Sequence, residues 1–230
     1  MKQIAVISGG SKGIGLALVK KFLEQDFTVF AISRNIGELN ELQITYSNQL
    51  FHISADLSDK IATKEAAALI RSQISKVDVL INNAGVFLPG QIANEQEGDF
   101  ELQMNLNVGS AYHLTRALLP LMYHQDISYV FNICSTASQT AYINGGSYCI
   151  SKHALLGFSK VLRQELIDKN INVSAILPGA TLTDSWSGTT LPEERFIKPE
   201  NIAEMIYVFW LNRNNSCVEE ITIRPVLGDI

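Results

Sequence analysis

The chain has 230 residues and a mass of 25.4 kDa; it is 47% hydrophobic and 18% charged, with a formal net charge of −5. This composition excludes a disordered chain, and a mildly acidic balance without a Lys/Arg cluster leaves no electrostatic footprint for nucleic acid. No apolar run approaches the roughly 18 residues of a membrane-spanning helix, and the apolar run in MKQIAVISGG is too short for a signal-peptide core, so a soluble, cytoplasmic, single-domain protein over residues 1–230 is expected.

Gln3–Ser8 is a short, β-branched apolar run, the pattern of a strand buried on both faces. The glycine-rich segment Gly9–Gly15 follows, then a helix over Leu16–Gln25. Thr28–Ile32 and Leu50–Ser54 predict the second and third strands, and Lys60–Lys76, rich in Ala, Ile and Gln, predicts a helix. Val77–Ile81 is a fourth strand, stopped by Asn82-Asn83-Ala84-Gly85. One long helical pattern runs from about Gly98 to His124, with Pro120 near its end. Tyr129–Cys134 predicts a strand, Ser147–Lys169 a helix, Asn172–Leu177 a strand, Pro199–Asn212 a helix and Glu220–Arg224 a last strand. The polar, Thr/Ser-rich stretch Leu182–Lys198, with Trp186 inside it, reads as a loop or short helix. Strands separated by helix-length segments imply βαβ units and a parallel sheet covered on both faces.

Three motifs carry chemistry. Gly9-Gly10-Ser11-Lys12-Gly13-Ile14-Gly15 joins a strand to a helix. Glycines there permit a tight turn and the approach of a phosphate to the backbone, and the helix N-terminus offers free N–H groups and a partial positive charge. The competing reading is a glycine turn that merely starts a helix. Ser33-Arg34 lies just beyond the second strand, where a dinucleotide fold meets the adenosine ribose. No acid is present there to bind a 2′-hydroxyl, whereas a guanidinium suits a 2′-phosphate. Lys12 supplies a second candidate cation; the alternative is two solvated surface charges. Tyr148 and Lys152, at i and i+4, share one helix face. An ammonium near a phenol favours phenolate and lowers its pKa, making an acid/base for neutral pH. Such a pair alone is weak, but Ser135, Asn82–Gly85 and Pro178-Gly179 all follow strands, where ligands bind in open α/β sheets.

With these residues in place the sequence resembles the short-chain dehydrogenase/reductase family from Ile4 to about Pro225. SGGSKGIG is similar to the family's TGxxxGIG, with Ser8 keeping the hydroxyl of threonine. Asp56-Leu57 matches the acidic pair that contacts adenine, Asn82–Gly85 matches NNAG, and Pro178-Gly179 with Thr183 matches PGxxxT. The resemblance implies an α/β fold, a Rossmann-type doubly wound three-layer sandwich whose central parallel sheet has about seven strands. It implies catalytic residues Asn107, Ser135, Tyr148 and Lys152, with Asn107 preferred to the nearby Asn105 by its distance from Leu114–Pro120. It further implies cofactor contacts from Gly9, Ser11, Lys12, Gly13, Ile14, Gly15, Ser33, Arg34, Asp56, Leu57, Asn83, Ala84, Gly85, Tyr148, Lys152, Pro178, Gly179, Thr181 and Thr183. Two departures stand out: Ser110 and Ser138 occupy positions where the family favours glycine.

The activity implied is reduction of a carbonyl, or oxidation of the corresponding alcohol, with NADP(H) ahead of NAD(H). Tyr148 moves the proton, Ser135 binds the oxygen, Lys152 holds the nicotinamide ribose and Asn107 orders a water. A non-catalytic NADP-binding sensor and a sugar-nucleotide epimerase or dehydratase are the rivals. An intact tetrad argues against the first, and the short C-terminal region against the second. Phe87, Leu88, Tyr142, Ile143 and Trp186 are candidate walls for an apolar or aromatic substrate. The apolar stripe Leu155, Phe158, Leu162 and Leu166, widened by Ala154, Leu156 and Val161, predicts a homodimer or homotetramer; neither nucleic acid nor membrane is expected as a partner. His52, His113, His124 and His153 are unclustered, and Cys134, Cys149 and Cys217 contain no CxxC pair, so neither a metal site nor a disulfide framework is expected.

Overall fold

The computed structural model describes residues 2–124 and 126–230. Its strands are β1 (Ile4–Ser8), β2 (Thr28–Ser33), β3 (Leu50–Ser54), β4 (Val79–Asn82), β5 (Ser128–Ile133), β6 (Ile171–Pro178) and β7 (Glu220–Ile223). The helices are α1 (Gly13–Glu24), α2 (Leu39–Thr45), α3 (Lys60–Gln73), α4 (Asp99–Met104), α5 (Ser110–Leu118), α6 (Gly146–Leu166) and α7 (Pro199–Leu211). All seven strands pair in parallel, in the order β3-β2-β1-β4-β5-β6-β7. The fold is the expected Rossmann-type doubly wound sandwich. Strand order reverses direction between β1 and β4, which opens a crevice at their carboxyl ends.

Alternation within the buried strands builds both cores. Ala5, Ile7, Val29, Val79, Ile81 and Phe131 face α1 and α7, where they meet Leu18, Phe22, Ile206 and Trp210. Val6, Phe30, Ile32, Leu80 and Val130 face α3, α5 and α6, where they meet Ala67, Ile70, Leu114, Leu118 and Leu162. Each fully buried Leu, Ile or Phe contributes roughly 1.5–3 kcal/mol, which is why these helices cannot leave the sheet independently.

The strand readings hold within two residues, and Leu50–Ser54 falls on its expected bounds. The continuous helix over 98–124 does not hold. It is α4, a π turn over Asn105–Gly109, α5, and a 3₁₀ turn over Leu119–Leu121. Ser110, in place of glycine, donates its buried hydroxyl to the Leu106 carbonyl across the π turn, a side-chain bond that competes with the helix ladder and bends it. Helix α2 has no counterpart in the sequence reading. The Leu182–Lys198 segment carries short 3₁₀ turns at Asp184–Trp186 and Glu193–Arg195 and is tied at its base by a bridge between Thr181 and Ile197.

Candidate active site

The glycine loop runs from the end of β1 into α1, beside the NNAG segment that follows β4. A Cβ on Gly15 would lie 2.0 Å from the Gly9 carbonyl oxygen and 2.5 Å from Asn83 Nδ2, so no side chain fits. Ser8 Oγ accepts the backbone N–H groups of Asn83 and Ala84 at 2.9 and 3.0 Å, while Asn83 Nδ2 donates to the Ser8 and Gly9 carbonyls. The hydroxyl shared with threonine thus makes the two loops one unit. Lys12, at the N-cap of α1, makes no side-chain cap, which leaves the orphan N–H groups of the first turn and the positive end of the helix dipole for an anion.

Around the crevice, Ser33 ends β2, with its hydroxyl 2.7 Å from the Asn35 carbonyl and 2.9 Å from His52 Nε2. Arg34 follows it, exposed. Asp56 Oδ1 accepts the Ser58 N–H and hydroxyl, and these bonds, with a smaller pull from Arg34, lower its pKa. Leu57 is buried in the core, so any ligand contact it makes is through its backbone. Lys12 does not stand beside Arg34 as a second free cation: its ammonium pairs with Asp184 at 3.1 Å. Both side chains are largely exposed, and a pair of this kind contributes little.

The four expected catalytic residues converge. Asn107 sits within the π turn and is buried, whereas Asn105 is exposed. Asn107 Oδ1 accepts the Val86 N–H at 2.7 Å, and its Nδ2 donates to the Val86 carbonyl and Ser151 Oγ. Asn107 Oδ1 and Lys152 Nζ lie 3.0 and 3.6 Å from where a Cβ on Gly85 would stand. Ser135 caps a 3₁₀ turn at the end of β5, and Ser138 completes a reciprocal capping box with it. The second departure from glycine therefore fixes the backbone of Ser135. Tyr148 and Lys152 stand in the first two turns of α6, with Lys152 Nζ 5.8 Å from the Tyr148 ring centroid.

Ser135, Tyr148 and Lys152 open on one cavity of about 690 Å³ that extends from Ile14 and Asn83 to Pro178, Gly179, Thr181 and Thr183, whereas Asn107 is buried beside Gly85 and does not line it. Phe87, Tyr142, Ile143 and Trp186 line it as expected; Leu88 does not, and its backbone N–H donates to Gln103 Oε1. Asp229 and Ile230 also line the cavity, a long-range placement that no local pattern could reveal. Among the described residues no group of His, Cys, Asp and Glu could hold a metal ion, and no helix is long and apolar enough to cross a membrane.

The family model for short chain dehydrogenases matches residues 3–193. The chain belongs to that family. This short-chain dehydrogenase is 31% identical to a sepiapterin reductase of Chlorobaculum tepidum over 241 aligned positions, covering 100% of this chain and 99% of the relative. Its fold matches an alcohol dehydrogenase from Thermococcus sibiricus complexed with 5-hydroxy-NADP at a TM-score of 0.90 and 22% identity, covering 100% and 99% of the two chains. The L-sorbose reductase of Gluconobacter frateurii, solved with NADPH and L-sorbose, matches at a TM-score of 0.87 and 25% identity, covering 97% and 95%. The protein is an oxidoreductase of this family.

Electrostatics in the short-chain dehydrogenase differ from the sequence expectation in one respect. Lys152 does not lower the Tyr148 pKa here: burial pushes the phenol up to about 12, against a smaller pull from the Ser135 hydroxyl. Lys152 Nζ donates to the Ile133 carbonyl at 2.9 Å, and burial brings its own pKa down to about 8. Desolvation penalises both charged forms and is the largest cause of both shifts.

A stability prediction follows from Lys152. Below pH 8 the ammonium is charged in both folded and unfolded chains, and folding carries the cost of burying it. Between about 8 and 10.5 the unfolded chain keeps a proton that the folded one releases, so stability rises with pH. Lys152→Met in the cofactor-free protein should therefore gain most, relative to wild type, at pH 7 and lose that advantage by pH 10. The pH-dependent part should reach roughly 3 kcal/mol. Urea denaturation at the two pH values measures it; an unchanged difference between variant and wild type contradicts a depressed Lys152 pKa.

Proposed function

We propose that this short-chain dehydrogenase is an NADP-dependent carbonyl reductase, or an alcohol dehydrogenase in the reverse direction, built as one Rossmann domain with Tyr148 as its acid/base. The convergence of Ser135, Tyr148 and Lys152 on a cavity that begins at the glycine loop carries this reading. The close packing of Gly15 against the Gly9 carbonyl and Asn83 keeps the loop tight, and the uncapped start of α1 beside it fits the diphosphate of a dinucleotide. Gly9, Ser11, Lys12, Gly13, Ile14 and Gly15 would hold it there, with Ser33 and Arg34 at the adenosine ribose and Asp56 and Leu57 at adenine. Asn83, Ala84 and Gly85 would support the middle of the molecule. Tyr148 and Lys152 would hold the nicotinamide ribose, and Pro178, Gly179, Thr181 and Thr183 the nicotinamide end. When bound, the cofactor supplies the hydride; the protein supplies orientation and electrostatics.

The chain's own groups then manage the oxygen. The Ser135 hydroxyl hydrogen-bonds the substrate carbonyl, Tyr148 donates a proton to the same oxygen, and Lys152 with Asn107 orders the water path that returns that proton. The aromatic and aliphatic walls, Phe87, Tyr142, Ile143 and Trp186, favour an apolar or aromatic carbonyl compound. NADPH in the L-sorbose reductase structure and the reductase name of the Chlorobaculum relative support the reductive direction. A homodimer or homotetramer is part of the same reading. Leu155, Leu156, Leu162 and Leu166 of the expected stripe are spent on the sheet, but Ile150 and Val161 of α6 and Tyr112 of α5 stay exposed.

Cofactor choice tests the reading. Arg34 stands exposed at the end of β2, and its charge reaches Asp56. Hydrogen bonds to charged groups contribute roughly 1.5–3 kcal/mol, so kcat/KM with a carbonyl panel should favour NADPH over NADH by about tenfold to a hundredfold. Arg34→Asp should abolish or invert the preference. Equal use of both cofactors by the wild type would remove the NADP assignment, and NADPH binding without turnover of any carbonyl would favour a sensor.

A further inference from the structure

Glu95 lies on the connection between β4 and α4, outside every motif of the family pattern, and it reaches 52 residues along the chain to the start of α6. Its Oε1 accepts the Ser147 backbone N–H at 2.6 Å, and its Oε2 accepts the Ser147 hydroxyl. Ser147 is the second residue of α6, so its N–H is a first-turn donor that no intrahelical carbonyl can reach. A residue at the N-cap ordinarily accepts that bond; here the N-cap is Gly145, which has no side chain.

Two glycines make room for the carboxylate. A Cβ on Gly146 would lie 2.3 Å from Glu95 Oε1, and one on Gly90 would lie 2.6 Å from Glu95 Cγ. Backbone bonds lace the same segments together, from the Gly90 N–H to the Asn144 carbonyl at 2.9 Å and from the Gly146 N–H to the Gly90 carbonyl at 3.1 Å. Tyr148 is the next residue after Ser147. Its ring meets Phe87 edge-on with centroids 4.8 Å apart, and Phe87 belongs to the same connection as Glu95. One segment therefore grips both the backbone before Tyr148 and the ring of Tyr148 itself.

We propose that Glu95 is a positioning residue for the reaction: it caps α6 from across the fold and holds the first helical turn so that Tyr148 keeps its place against the substrate oxygen. This rests on the reading of Tyr148 as proton donor. The neutral isostere, in Glu95→Gln, keeps the essential acceptor, because the side-chain carbonyl of a glutamine can take the Ser147 N–H while its amide donates to the Ser147 hydroxyl. Geometry rather than charge is what the cap supplies.

The experiment compares kcat, the NADPH Kd and the fraction of NADPH-competent protein for Glu95→Ala, Glu95→Gln and Gly146→Ala. Small misplacements at a reacting centre cost up to about 10²-fold. Glu95→Ala should lower kcat per NADPH-competent site by at least about tenfold while the NADPH Kd rises by no more than about fivefold, since the glycine loop is untouched and only the Tyr148 contact with the ribose moves. Glu95→Gln should restore kcat to within about threefold of wild type. Gly146→Ala introduces a better helix former yet displaces the carboxylate, so it should lower kcat as Glu95→Ala does. It reads the same position if Glu95→Ala does not fold. Wild-type kcat in either Glu95→Ala or Gly146→Ala overturns the proposal, as does a loss wholly explained by a weaker NADPH Kd. Turnover in Tyr148→Phe would instead remove the proton-donor reading and this inference with it. An inactive Tyr148→Phe beside an unimpaired Glu95→Ala removes only the inference.

Discussion

Tyr148→Phe should lower kcat by at least about a hundredfold while the chain folds and still binds NADPH, weakened by no more than the roughly 0.5–1.5 kcal/mol of one lost hydrogen bond to the ribose. General acid–base transfer by a positioned side chain contributes typically about 10²–10⁴ in rate, and phenylalanine deletes only the oxygen that performs it. The ring, and its edge-on contact with Phe87, are retained. Burial holds the phenol at about 12 without cofactor, so it carries its proton throughout the neutral range and is ready to donate in reduction. Alcohol oxidation needs the opposite form, so its rate should climb with pH, and that climb should vanish in the variant. Single-turnover NADPH oxidation, followed by absorbance with a carbonyl substrate, measures the loss. A folded, cofactor-saturated Tyr148→Phe enzyme with near-normal kcat would reduce Tyr148 and Lys152 to a chance pair on one helix face.

Gly15→Ala is expected to have the second large effect. The added methyl would stand 2.0 Å from the Gly9 carbonyl oxygen, 2.5 Å from Asn83 Nδ2 and 2.8 Å from the Gly9 carbonyl carbon. Two of these are backbone atoms, so the loop must open rather than a side chain turn away. Overpacking of this kind costs typically about 1–3 kcal/mol. The same displacement pulls on Asn83, whose amide ties the glycine loop to the NNAG segment. The NADPH Kd should rise at least tenfold, by the roughly 1.4 kcal/mol that a factor of ten represents, and the thermal midpoint should fall. Isothermal titration of the folded variant decides it: an unchanged Kd would mean that the glycine loop only starts α1 and does not cradle a ligand.

How far the sequence reaches is visible in particular residues. Leu50–Ser54 reads as a strand because a short run carrying Leu, Phe and Ile is a local signal, and it is the strand observed. Gly9–Gly15, Ser135 and the Tyr148–Lys152 pair are legible for the same reason: turn chemistry and helix spacing depend on neighbours in the chain. Asn107 stands at the edge of that range. Its distance from Pro120 selects it over Asn105, but the π turn that buries it, and the Val86 backbone that occupies its amide, come from elsewhere in the fold.

What the sequence by itself determined about this protein is the strand-and-helix alternation, the order of its loops along the crevice and the family to which it belongs. All of these are written in short periodic patterns and fixed spacings. Only the tertiary structure decided that Lys12 pairs with Asp184, that Leu88 does not line the cavity, that Glu95 caps α6 and that Tyr148 is held up to about 12 rather than lowered. Each of these depends on which distant groups meet and on how much water is left between them. Contact across 52 or 172 residues and desolvation have no local pattern; they exist only once the chain has closed on itself.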